Sequence, residues 1–299
     1  MKKLNGWLCF DKPEGVSSNF AMAKVRKIFG TRETGYVGTL DPFATGVLPI
    51  AVGEARKFIR FIEESVKMYV FTAIFGATTD TLDKDGNITE TCQHIPAEKE
   101  ISENLRHFIG EIEQIPPVFS AIKIGGKRAC DRVRRGETVE IPPRRVKISD
   151  FRMLRADLEK NEATFEVTCS QGTYIRSLAR DFAEKSGSLA YVKSLRRTKS
   201  GFFSISDTIS LEKLQEMKDT TESVSVLAPV ESPLDDIPAL RLGSEDIGRL
   251  RNGLRFFAEN SDAASMYVRI VDKAEDTFCG IGFVSEDGLL RPVRMCVNN

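Results

Sequence analysis

Histidine is scarce in this chain: only His94 and His107 occur among 299 residues, and there is a single tryptophan. No Gly-x-Ser-x-Gly elbow accompanies the histidines, so a serine-hydrolase triad has no support. The six cysteines (Cys9, Cys92, Cys130, Cys169, Cys279 and Cys296) are scattered, with no Cys-x-x-Cys pair. Scattered thiols beside two histidines do not make a zinc site, and the expectation is reduced, packed thiols in a cytoplasmic protein. No run approaches the roughly 18 apolar residues that a membrane span needs. The apolar start is broken by Asp11 and Lys12, which argues against a secretory signal. An excess of one charge is missing too, since Lys+Arg and Asp+Glu both number 43.

The phosphate- and metal-binding patterns are absent as well. Gly35, Gly38 and Gly46 are not followed by the Gly-Lys-Ser/Thr of a Walker loop, and no Gly-x-Gly-x-x-Gly follows a strand. Asp80, Asp83, Asp85 and Gly86 superficially suggest a calcium loop, but the first and last ligand places hold Thr81 and Cys92. An acidic turn remains. Neither a cofactor nor a metal is expected.

What is present reads as strands interleaved with helices. Strand patterns occupy Leu4 to Phe10, Val47 to Val52, Lys67 to Phe75, Val146 to Leu154 and Ala163 to Cys169. A helix capped by Ser17 or Ser18 should run to Phe29 and end at Gly30. Further helices are expected over Glu54 to Ile62, Glu98 to Ile109 and Thr173 to Lys185. Because several strands follow one another directly, the expected class is α+β with a mixed sheet. An acidic, proline-bearing stretch from Thr220 to Pro238 reads as a linker. Beyond it, a short helix (Ser244 to Asn252) and three strand-like runs make a small β-rich appendage.

The balanced charge is unevenly spread. Lys123 to Lys147 holds nine basic residues against three acidic ones, and Arg176 to Lys199 holds seven against two. Two such blocks can give a neutral protein one positive face for a polyanion. Asp41 stands out among the carboxylates. Pro42 biases it toward extended backbone, and small neighbours allow a substrate to approach.

The segment Gly35-Tyr-Val-Gly-Thr-Leu-Asp41-Pro-Phe-Ala-Thr-Gly-Val-Leu-Pro49 closely resembles the signature of the bacterial TruB family of tRNA pseudouridine synthases. Five further segments resemble the same family, in the same order. They are Asp11-Lys-Pro-x-Gly-x-Ser-Ser18, Lys67-x-Tyr69 leading to Gly76, and Thr79-Asp-Thr-x-Asp-x-x-Gly86. The others are Pro116-Pro-x-x-Ser-Ala-x-Lys123-x-x-Gly126 and Gly172-Thr-Tyr-Ile-Arg-Ser-Leu178, the last followed by Leu195-Arg196-Arg197. Six collinear matches leave little room for chance.

The resemblance implies a pseudouridine synthase fold with a mixed, largely antiparallel central sheet. It implies a catalytic domain over residues 1–225 and a small β-rich, PUA-like RNA-binding domain over 238–299. It gives Asp41 the part of the catalytic aspartate, with Tyr69 stacking on the target base and Arg176 beside them. Tyr174 and Leu195 line the site; Tyr36, Lys12, Lys123 and Arg196 fall in matched segments and join them as substrate-binding candidates. The family usually has His where Tyr36 stands, and Tyr where Cys130 stands.

The implied reaction is isomerisation of uridine to pseudouridine at position 55 in the T loop of tRNA. It breaks the N1–C1′ bond and rejoins the base through C5, without redox change, cofactor or metal. An aspartate is ionised at neutral pH, and Arg176 would keep it so after desolvation. The expected partner is the T stem-loop, bound by a cytoplasmic monomer without guide RNA. The C-terminal appendage would grip the acceptor end, so that deleting it weakens binding more than turnover. A non-catalytic tRNA-binding or tRNA-folding module, and a guide-RNA-dependent synthase, are the alternatives; activity on naked tRNA separates them.

Overall fold

The computed structural model describes residues 4–120, 122–217, 225–257 and 265–297. Its strands, in chain order, are β1 (Gly6–Lys12), β2 (Thr34–Tyr36), β3 (Thr45–Val52), β4 (Lys67–Phe75), β5 (Ala77–Thr79) and β6 (Ile88–Thr91). Then come β7 (Gly110–Gln114), β8 (Lys123–Ile124), β9 (Lys127–Arg128), β10 (Arg144–Asp157), β11 (Glu162–Cys169), β12 (Ala190–Ser200) and β13 (Phe203–Ser204). A nine-stranded sheet runs β1-β3-β12-β4-β11-β10-β7, with β2 on β3 and β13 on β12. Every pairing in it is antiparallel except β3 with β12. The expected α+β class with a mixed, largely antiparallel sheet is the one found.

The first helix, Ser18–Phe29, starts where the Ser17 side chain accepts the Phe20 N–H and stops at Gly30 in the left-handed region. The helix Ile175–Lys185 turns Ile175, Leu178, Ala179 and Phe182 onto the sheet, at the three- and four-residue spacing of one helical face. Phe182 meets Phe165 at 5.5 Å and Phe151 at 5.7 Å, and Phe71 stacks on Phe165 at 5.2 Å. Truncating such a ring costs about 3–5 kcal/mol. This cluster fixes where the first turn of that helix, with Arg176, stands relative to the sheet.

Three sequence expectations are corrected. The Glu54-to-Ile62 helix is a 3-10 turn over Gly53–Phe58 followed by one α turn, Ile59–Ile62. The Glu98-to-Ile109 helix ends at Leu105 and continues as a 3-10 turn. The expected linker lies partly outside the described residues, and its remainder is packed: Ala228 exchanges backbone hydrogen bonds with Trp7, and Leu234 is buried. Val226, Leu227 and Val230 give this acidic stretch an apolar side that the core takes up. Of the strands that were not foreseen, most are short, but β12 is long, and Lys193, Arg196, Arg197 and Lys199 hide its alternation. It is nevertheless central, between β3 and β4.

The C-terminal sheet contains β14 (Ala239–Leu242), β15 (Phe256–Phe257), β16 (Met266–Asp272), β17 (Phe278–Val284) and β18 (Leu289–Met295), in the order β14-β16-β17-β18-β15. Helix Ser244–Arg251 packs Ile247 and Leu250 against it. Phe278 and Ile281 also enter the cluster around Trp7 and Phe58, so the two sheets share apolar core. Among the described residues, no helix is long and apolar enough to cross a membrane.

Candidate active site

Asp41 lies in the connection from β2 to β3, which is held from three sides. Ser18 Oγ donates to Leu40 O at 3.0 Å and accepts the Leu40 N–H at 2.9 Å. Lys12, wholly buried, spends its ammonium on the carbonyls of Pro13, Val16 and Pro42, at 2.9, 2.7 and 3.2 Å. Arg197 donates from Nε to Val47 O at 2.7 Å and from Nη2 to Gly38 O at 3.0 Å. Close approach demands glycine here. A Cβ on Gly46, where φ is 98°, would meet the Arg197 carbonyl oxygen at 2.3 Å.

The carboxylate itself reaches Arg176, with Nη2 to Oδ2 at 2.9 Å. Arg176 is fixed in turn: Nη1 donates to Thr81 O at 2.7 Å and to Asp83 Oδ2 at 3.1 Å, and Nη2 donates to Phe119 O at 3.0 Å. Asp83 is buried and accepts from Thr81 Oγ1 at 2.6 Å and from the Asp85 N–H at 3.1 Å. The acidic turn is therefore the socket of the buried arginine. The Arg176 side chain is 4% exposed, whereas that of Asp41 is 32% exposed, so the carboxylate is the member of the pair that a substrate can touch. Burial pushes the Asp41 carboxyl above its ordinary 3.8; Arg176 and Lys12 oppose the rise, and Asp83 adds to it. The sequence argument had given Arg176 the upper hand, but desolvation is the larger influence.

A cavity of about 320 Å³ opens over Asp41 and is bordered by Tyr69, Tyr174, Arg176 and Leu195. All five expected site residues on its walls are thus brought together. Tyr69 on β4 stands across from Arg197 on β12. Burial raises the Tyr69 hydroxyl above its ordinary value, and the positive charge of Arg197 opposes that rise. The Tyr174 backbone is gripped by buried Gln114, whose amide accepts from Tyr174 N at 2.8 Å and donates to Tyr174 O at 3.1 Å. Its ring carries the Arg144 guanidinium at 4.6 Å. Arg144 Nε and Nη2 are buried without a hydrogen-bond partner among the described residues, on the cavity wall.

The other four candidates are placed differently. Tyr36 borders a second cavity, of about 490 Å³, which also reaches Asp41 and Arg176 and is flanked by Cys130 and Arg134. Lys12 lines neither of these two cavities, and its hydrogen bonds go to backbone, so it holds the Asp41 loop instead of facing substrate. Arg196 pairs with Asp11 at 2.7 Å, away from the cavity. Strand alternation explains this, because Leu195 and Arg197 point one way and Arg196 the other. Arg197 is the strand's cavity arginine. The backbone of Lys123 lies in the β8–β9 hairpin, and its side chain falls outside what is described. Sequence reasoning missed Asp83, Gln114, Arg144 and Arg197 as site residues. Asp83 and Arg197 were both visible within matched segments, but nothing local singles out Arg197 from its neighbour Arg196, or Arg144 from a basic block.

Residues 26–175 match the TruB family pseudouridylate synthase N-terminal domain. Residues 176–235 match the tRNA pseudouridylate synthase B C-terminal domain, and 238–296 match the pseudouridine synthase II TruB C-terminal domain. The chain is 44% identical over 265 residues to tRNA pseudouridine synthase B of Zymomonas mobilis, covering 87% of each chain. To the protein of the same name from a Chelativorans species it is 38% identical, over 98% of this chain and 96% of that one. In fold it is similar to a protein in the structure of an H/ACA RNP bound to a substrate RNA containing 2′-deoxyuridine. The TM-score is 0.74 at 20% identity, covering 98% of this chain and 85% of that one. A motif set that converges on one carboxylate, and close relatives that span nearly the whole chain, agree: the chain belongs to the TruB family of pseudouridylate synthases.

Proposed function

We propose that the chain converts uridine to pseudouridine in tRNA, at position 55 of the T loop, with Asp41 as the reacting carboxylate. The observation that carries this is a partly exposed aspartate where two cavities meet, held by a buried arginine whose two terminal nitrogens are anchored on Asp83 and on the Thr81 and Phe119 carbonyls. A uridine in a folded loop must be extruded at a cost of a few kcal/mol. Packing on an aromatic such as Tyr69 returns roughly 1–3 kcal/mol per base. Tyr174 and Leu195 close the rest of the wall.

In the reaction the N1–C1′ bond breaks, the uracil turns, and C5 bonds to C1′. C5 gives up its proton and N1 gains one, so atoms and electrons balance without another reactant. Attack on C1′ and removal of a sugar proton both use ionised Asp41. Arg176 favours that form and fixes its direction. We assign Tyr69, Arg176, Tyr174 and Leu195 to the base and sugar, Tyr36 to the neighbouring nucleotides, and Lys12 to the loop. The division into a catalytic part, residues 1–225, and an RNA-binding part, 238–299, belongs to the same proposal. So do a monomeric, cytoplasmic enzyme and independence from guide RNA.

The test is pseudouridine formation on an unmodified tRNA transcript without added RNA or protein, wild type beside Asp41→Asn. Product at the T-loop uridine from wild type alone supports the reading. Tight binding without product would leave a binding module in its place, and product only after addition of a guide would make the enzyme guide-dependent.

A further inference from the structure

Away from both cavities, one row of side chains crosses the seam between the two large sheets. Tyr267 on β16 pairs across from Phe283 on β17, and Phe283 from Arg291 on β18, so all three share one face. Tyr267 carries the row into the larger sheet's side through Phe61, with ring centroids 5.2 Å apart and planes at 80°. The Tyr267 and Phe283 rings are 5.3 Å apart at 72°. An arginine closes each end: Arg60 lies 4.6 Å from the Phe61 centroid, and Arg291 lies 4.9 Å from that of Phe283. Glu63, three residues after Arg60, borders the cavity that holds Asp41.

Here both terminal arginines are exposed, and Tyr267 is 43% exposed. Among the described residues, neither guanidinium has a carboxylate or hydrogen-bond partner, and Glu64, one helical turn from Arg60, does not pair with it. Each cation instead rests on a ring, which leaves its N–H edge free to donate outward. The edge-to-face rings between them have few rotamers and hold the two charges at a set separation. Two unneutralised guanidiniums on a rigid spacer suit a rigid polyanion, and the backbone of an RNA helix is one.

We propose that this row binds the phosphate backbone of the tRNA beyond the T stem-loop, with Arg60 and Arg291 each neutralising a phosphate. The proposal rests on the tRNA reading above and extends it to a surface outside the reacting site. It is tested by binding of full-length tRNA transcript and of the isolated T stem-loop across a range of salt concentrations. The proteins are wild type, Arg60→Ala, Arg291→Ala, and the charge-keeping Arg60→Lys and Arg291→Lys. Each alanine variant should lower the slope of log affinity against log salt by about 0.9 for full-length tRNA. The lysine variants should keep most of that slope, and the stem-loop should bind every protein with one slope. Unchanged slopes with full-length tRNA would overturn the proposal. So would an equal loss on the stem-loop, or a slope lost in the lysine variants as fully as in alanine, which would mark a packing seam. Pseudouridine formation on the stem-loop by wild type reports separately on the underlying reading.

Discussion

Two opposed influences meet on Asp41: burial raises its carboxyl above 3.8, and the Arg176 guanidinium at 2.9 Å pulls it back. If the ionised form reacts, kcat/KM falls on the acid side with a limb set above the free-carboxyl value. Arg176→Met removes the strongest influence favouring the charge, so its limb should move to higher pH. Asp83→Asn removes a negative neighbour, so its limb should move to lower pH. A pH–rate profile for each variant checks this, and limbs that move the same way would sink the assignment. The same shift has a stability sign. A carboxyl raised in the folded state contributes stability below its unfolded value and loses it as pH rises through the folded one. At pH 7 the ionised Asp41 is therefore a cost to the fold. Asp41→Asn should abolish turnover while leaving Tm in a thermal melt unchanged or higher; a drop of several degrees would contradict this.

At the scale of elements, β2 and the short helix Ala129–Val133 come from distant parts of the sequence and border one cavity. They carry Tyr36 and Cys130, at the two places where the family resemblance implies His and Tyr. A larger ring on one wall faces a smaller side chain on the other, which reads as one exchange of volume across the cavity. Cys130→Tyr alone should crowd the space beside Tyr36 and raise KM for tRNA, and the double variant with Tyr36→His should recover much of the loss. Residues coupled through a shared cavity show interaction energies of about 0.5–3 kcal/mol. A double-mutant cycle measures the coupling, and additive effects would mean that the two departures are independent.

Across the whole molecule, the C-terminal sheet is bound by more than a tether. Phe278 meets Phe58 at 5.2 Å, and Ile281 is buried in the cluster around Trp7. Lys57 also donates to Met295 O at 3.1 Å. Wild type should therefore unfold in one transition, and truncation after residue 237 should lower the Tm of the remainder by baring Phe58. Differential scanning calorimetry decides this. Two separate transitions, with the earlier one lost on truncation, would show independent units. The deletion expected to weaken tRNA binding more than turnover thus disturbs the fold as well, and surface changes such as Arg291→Ala are the cleaner probe.

Local rules determined much of this protein from the sequence alone. Ser17 and Gly30 fix the first helix because capping and the left-handed region are short-range requirements. The alternation from Lys67 to Phe75 gives β4 to the residue, and the matched segments bring out Asp41, Tyr69, Tyr174, Arg176 and Leu195. What only the tertiary structure decided depends on long-range contact. The central place of β12 comes from its two neighbours, which complete a strand whose own pattern is masked by charge. Arg197 rather than Arg196 reaches the cavity because the register of that strand sets which face is inward. Lys12 and Asp83, ordinary charged residues in turns by sequence, became the supports of the Asp41 loop and of Arg176 because carbonyls and a guanidinium from distant segments converge on them. Charge and hydrogen-bonding capacity are written in each residue, but its partner is chosen by the fold.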